Sequence, residues 1–174
     1  MSIENVSPQM EKRFEVLEKM IEQGYIEPVK PLFDWLPTLC YFPNKTSNFD
    51  NAPPELKKQF NLMFSWYGFW LGIFAFVQTR LAKDFCIVLC IYGATICLLP
   101  PKYLDSPLTN VTGWVFVYFM SQIFVFSRYY QYKIYGRCPS NRNIFSTICL
   151  SIIYFCLAII PGSIIQAVLY SNVK

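Results

Sequence analysis

The chain has 174 residues, a net charge of +4 and no histidine. Hydrophobic residues make up 54%, aromatics 18% and charged residues 15%, where a water-exposed domain carries about 25% charged residues. So little polar surface argues against an ordinary soluble globule, and the missing histidine excludes His-ligated metal or haem, Ser-His triads and Cys-His dyads.

The charge is unevenly placed. Residues 1–59 hold nine acids and seven bases, net −2, and residues 60–174 hold eight bases and two acids, net +6. The bases gather at the edges of apolar segments, where Lys and Arg meet headgroups. No basic cluster is interleaved with aromatics, so the expected partners are a lipid bilayer and other membrane protein subunits, with no nucleic acid. Five of the seven cysteines lie inside apolar segments, which suits packing better than a disulfide framework. No continuous apolar run precedes residue 60, so no signal peptide is expected.

Ser7-Pro8 is a helix start and Gly24 a natural stop, which predicts an amphipathic helix over about 8–23. Met10, Phe14, Leu17 and Ile21 share one face at spacings of four, three and four. The opposite face is slightly acidic, so this apolar stripe is expected to bind a protein partner; the alternative is a helix folded back on its own membrane domain. Residues 25–59 contain six prolines and are expected to be irregular and extended.

Phe60–Thr79 is uncharged and about 30 Å long as a helix, the thickness of a bilayer core. It is expected to be the first span, with Ser65, Gly68, Gly72 and Ala75 as a small-residue packing face. Arg80 and Lys83 mark the interface behind it. A short second span over 85–99 would complete a tight hairpin, with Cys90 and Gly93 on its packing face. The third span, about 112–128, ends on Arg128 and the interfacial tyrosines Tyr129, Tyr130 and Tyr132. Its Gln122 is a polar contact to a neighbouring helix or, alternatively, to a substrate. The last span, 144–170, carries Pro161 and is either one kinked, tilted helix or a helix with a bent end; Ser151, Ala158 and Gly162 give it a small face, and Gln166 is a second polar contact. Residues 171–174 form a short tail.

The reading is an all-α integral membrane protein of four transmembrane helices behind an N-terminal extramembrane segment of residues 1–59. The apolar parts of the four expected spans contain no Asp, Glu, Lys or Arg, and ionisable groups at that depth are what membrane catalysis and ion coupling need. The expected function is therefore a non-catalytic accessory subunit of a multi-subunit membrane complex, clamped by its N-terminal segment. A lipid-handling or small-solute transport component and a membrane-shaping hairpin protein are the alternatives. No catalytic, metal or cofactor residue is expected, and bound structural lipids are compatible with the surface. The expected location is an internal organelle membrane, mitochondrial inner membrane or endoplasmic reticulum.

Overall fold

Ser7 Oγ accepts the Met10 N–H at 3.3 Å and opens α1 (Pro8–Glu22). Gly24 ends it in the left-handed conformation, φ +69°, a stop that glycine adopts without steric cost. The computed structural model describes residues 3–104 and 106–170; Asp105 and the tail 171–174 lie outside them. After α1 the chain makes an antiparallel bridge, Ile26 to Lys45. Inside it, β1 (Pro31–Phe33) and β2 (Leu36–Cys40) form a small antiparallel hairpin. This stretch, expected to be irregular, forms a hairpin that accommodates Pro31 at a strand start and Pro37 at an exposed strand position, where no ladder donor is required. Leu36, Leu39 and Cys40 face inward. A 3-10 turn (Phe49–Asn51) and α2 (Pro54–Asn61) follow.

The expected first span does not form. Residues 60–79 divide into the end of α2, α3 (Trp66–Leu71) and α4 (Ile73–Gln78). Gly72 joins α3 to α4 with φ +45° and ψ −121°, a backbone conformation essentially reserved for glycine. Tyr67, near the start of α3, donates a hydrogen bond to Gln78 at the end of α4, so the two short helices fold back on each other. Six residues are only about 9 Å of helix, so neither α3 nor α4 is long enough to cross a membrane.

Three helices form the lower bundle. α5 (Ala82–Cys97) descends from the head and α7 (Pro107–Tyr135) returns, with the short α6 (Pro101–Leu104) at the turn. α8 (Ile144–Tyr170) then runs beside α5 and parallel to it, Cys86 meeting Tyr154 at one end and Leu98 meeting Tyr170 at the other. Among the described residues, only α7 and α8 are long and apolar enough to cross a membrane. α5 has 16 residues, about 24 Å, short of the 30 Å core. The four-span architecture is therefore corrected to two candidate spans among the described residues, a short helix parallel to α8 and a hairpin of two short helices. In the most apolar window of α8 only 17% of the residues are buried, whereas the core helix of a soluble protein would be mostly covered.

Burial divides the molecule. Phe14, Leu17, Met20, Ile26, Leu39, Phe76, Phe124, Phe126 and Tyr129 belong to one closed core in the head. α7 belongs to both parts: Trp114, Tyr118 and Phe119 are exposed, and everything from Met120 to Tyr129 is buried. The two sequons, at Asn44 and Asn110, fall at opposite ends of the molecule, one in the head and one in the first turn of α7.

Candidate functional site

Where α7 enters the head, its apolar sequence gives way to Ser121, Gln122, Ser127, Arg128 and Gln131, all buried. A buried polar group needs a partner, and most of these have one. Ser127 Oγ accepts the Cys40 N–H at 3.0 Å, pinning β2 to α7. Arg128 Nη1 donates to Gln131 Oε1 at 3.0 Å and Nη2 to the Asn5 carbonyl at 3.1 Å. Gln131 Nε2 donates to the Thr79 carbonyl at 3.4 Å, and Asn5 Nδ2 to the Cys138 carbonyl at 3.2 Å. One network thus joins the segment before α1, the end of the α3–α4 hairpin, α7 and the loop after it. Arg80, at φ +64°, reaches that loop through the Ser140 carbonyl at 3.2 Å.

A cavity of about 360 Å³ opens beside this network. Arg128 and Arg13 line it together with the N-terminal end of α1, the start of α3 and the end of α4. Hydroxyls, amides and the apolar side chains of Val6, Met10, Trp66 and Phe124 complete the wall, and no Asp or Glu lines it among the described residues. Burial pushes the Arg13 guanidinium below its ordinary value. A second cavity, about 550 Å³, shares Asn5 and carries Arg80, Arg137 and Glu4. Burial pushes the nearby Cys138 thiol up, with Arg128 opposing. The chemistry on offer here is retention of an anion: guanidinium groups, neutral donors and a partly covered space.

On the other side of the head, Asp84 is 1% exposed and accepts both the Thr38 N–H at 2.7 Å and the Thr38 Oγ1 hydroxyl at 2.8 Å. This ties the β-hairpin to the start of α5.

The residues singled out from the sequence fall as follows. Met10, Phe14 and Leu17 are buried in the protein's own core and Ile21 is half-buried. Phe14 packs against Tyr129 and Tyr132, ring centroids 5.5 and 5.7 Å apart. That leaves these residues no open face for a partner; the helix folds back on its own chain. Tyr129 is core rather than interface, and Tyr130 and Tyr132 are half-buried, because α7 continues past Arg128 into the head. Arg128 is likewise buried, while Arg80 and Lys83 are exposed.

The small residues pack at three different places. Ser65 caps α3 by accepting the Gly68 N–H at 3.1 Å. Gly68 lies against Phe124, where a Cβ would come within 3.3 Å of the ring. Ala75 is fully buried, and Gly72 is the hairpin turn instead of part of a packing face. Ser151 is buried on α8, and Cys90, Gly93, Ala158 and Gly162 lie in the α5–α8 seam. There Pro161 cannot donate to the Leu157 carbonyl one turn back, and Cys90 Sγ approaches that carbonyl at 3.8 Å. Gln166 Nε2 donates to the Cys97 and Leu99 carbonyls at 2.6 and 3.1 Å, capping the end of α5. Gln122 donates to the Tyr118 hydroxyl at 3.2 Å. The two glutamines do not meet, so they line no common path.

Sequence reasoning passed over Arg13 and Gln131. The signal for Arg13 was its position three after Met10 and four before Leu17, on the inward stripe. For Gln131 it was the i,i+3 spacing from Arg128. No protein-family model, no curated protein and no solved structure matches this chain.

Proposed function

We propose that the chain is a non-catalytic accessory component of a membrane protein assembly, seated in the bilayer by α7 and α8 and meeting its partners there. The outer side of α8 carries this reading. Ile153, Leu157, Ile160, Ile164 and Val168 are 48–71% exposed and recur at spacings of four and three, one continuous ridge. Such a ridge is an aggregation hazard in water and a contact surface in lipid. The apolar stripe of α1, by contrast, is spent inside the head, so the clamp moves from the N-terminal segment to the bundle. The polar side chains richest in chemistry, Asp84, Arg128, Gln131 and Gln166, support the non-catalytic part of the reading because each is tied into bonds that hold the fold.

The finer proposal on location is an internal organelle membrane, mitochondrial inner membrane or endoplasmic reticulum. With the sequons at opposite ends of the molecule, only one of them would be lumenal, and a glycosidase shift at Asn44 or Asn110 would select the second membrane.

The test is gentle solubilisation of the full chain from its native membrane. The expected result is a particle larger than the 20.4-kDa protomer with a second polypeptide in fixed stoichiometry. Ile153→Trp with Ile160→Trp, which thickens the ridge, releases that polypeptide; Phe33→Ala on the exposed head does not. A solitary protomer in mild detergent, or turnover of a substrate by the pure chain, overturns the proposal.

A further inference from the structure

Arg128 is 3% exposed, and its guanidinium carries five N–H donors. The bonds to Gln131 and Asn5 engage two nitrogens, both with neutral acceptors. Among the described residues the ion pairs are Glu27–Lys30 and Glu18–Lys133; neither Arg128 nor Arg13 has a carboxylate partner. A buried cation with only neutral partners has an unrecovered desolvation cost, which an anion placed beside it offsets. The cavity that both guanidiniums line also receives the first turn of α1 through Ser7 and Gln9, whose helix dipole adds partial positive charge.

The level of the cavity selects the kind of anion. Its rim carries Trp66, 62% exposed. Phe69 packs between Trp66 and Trp114, with centroids at 5.9 Å to each ring. Trp114 is 61% exposed. An exposed tryptophan on the cavity rim favours the headgroup level of a bilayer. From Trp66 the Phe69 and Trp114 rings lead away from the cavity along the outward-facing part of α7, which becomes a buried helix at Met120. An anion held in the cavity therefore stands near the level of lipid phosphates, with the Phe69–Trp114 rings on the side suited to acyl chains.

We propose that this cavity binds the phosphate of an anionic glycerophospholipid, with Arg128 and Arg13 on the phosphate oxygens and the Trp66–Phe69–Trp114 face against the acyl chains. The site goes beyond the accessory reading and stands without it: a solitary protein and an assembled subunit would hold the lipid in the same way.

The experiment is native mass spectrometry of the purified full chain in neutral detergent, titrated with short-chain phosphatidylglycerol or phosphatidylcholine. Phosphatidylglycerol is expected to bind more tightly. Arg13→Gln, which removes one charge-assisted contact, weakens phosphatidylglycerol about tenfold and leaves phosphatidylcholine little changed. Lys102→Gln, a cation at the opposite end of the bundle, changes neither. Arg128→Gln, with its fold checked by far-UV circular dichroism, abolishes the preference; if that variant does not fold, Arg13→Gln decides alone. Equal binding of the two lipids, or an undiminished preference in Arg13→Gln, overturns the proposal. Displacement of the lipid by equimolar glycerol 3-phosphate or inorganic phosphate assigns the cavity to a soluble phosphate and overturns the lipid.

Discussion

Gly72→Ala should destabilise the protein even though the added methyl group meets no atom within 4 Å. The cost lies wholly in the backbone. At φ +45° and ψ −121° a residue with a Cβ is strained by about 1–3 kcal/mol. In an unbroken helix over 60–79 the same substitution would stabilise by about 0.8–1 kcal/mol, the helix-propensity gap between glycine and alanine. The two architectures therefore differ in the sign of the effect and by about 2–4 kcal/mol. The assay is unfolding of the full chain by SDS in mixed micelles, followed by far-UV circular dichroism. Gly93→Ala is the control: it lies inside α5, and its Cβ would be 3.7 Å from the Ala158 carbonyl, an ordinary contact. A second readout is accessibility. Gln59→Cys and Lys83→Cys sit at exposed positions on either side of the hairpin, and a membrane-impermeant maleimide should reach both from the same side of sealed vesicles. A stabilising Gly72→Ala, or labelling from opposite sides, would refute the α3–α4 hairpin and restore a crossing helix.

Asp84→Ala should cost about 1.5–3 kcal/mol, because the Thr38 N–H loses a charged acceptor; Asp84→Asn should cost less, since an amide oxygen still accepts. Proteolysis within residues 31–40 reports the loosened β-hairpin, and unchanged protection in Asp84→Ala would count against the tie. Burial, helped by the charge of Asp84, pushes the Cys40 thiol from 9.0 to about 12. A folded-state value above the unfolded one means that its stabilisation is complete below pH 9 and is lost as the pH climbs towards 12. Stability should fall across that window, less steeply in Cys40→Ala; matching slopes would remove Cys40 as the cause. In the seam, a Cβ at Gly162 would come within 2.7 Å of Cys97 Sγ. Gly162→Ala should therefore destabilise the bundle and Cys97→Ala should relieve it, with a coupling of about 0.5–3 kcal/mol in a double-mutant cycle; purely additive effects would refute the contact.

Local sequence alone defined α1 and its inward stripe, the cap at Ser7, the stop at Gly24 and the last apolar helix over 144–170. These are local matters: spacing on a helix, a hydroxyl three residues from an N–H, an unbroken run of apolar side chains. Composition likewise marked the lower helices as unsuited to water. Which surface met which was settled only when the chain closed on itself. An uncharged run of twenty residues reads as one span by length, and nothing local distinguishes a Gly72 inside a helix from a Gly72 that reverses the chain. The Tyr67–Gln78 contact and the packing of α4 on α8 make that choice. The same holds for Arg128. In sequence it follows an apolar stretch and looks like an interface anchor, but α7 runs on into the head and buries it beside Asn5, far away along the chain. Burial and partnership are long-range properties, so the cationic cavity, the most informative part of the molecule, came from the fold.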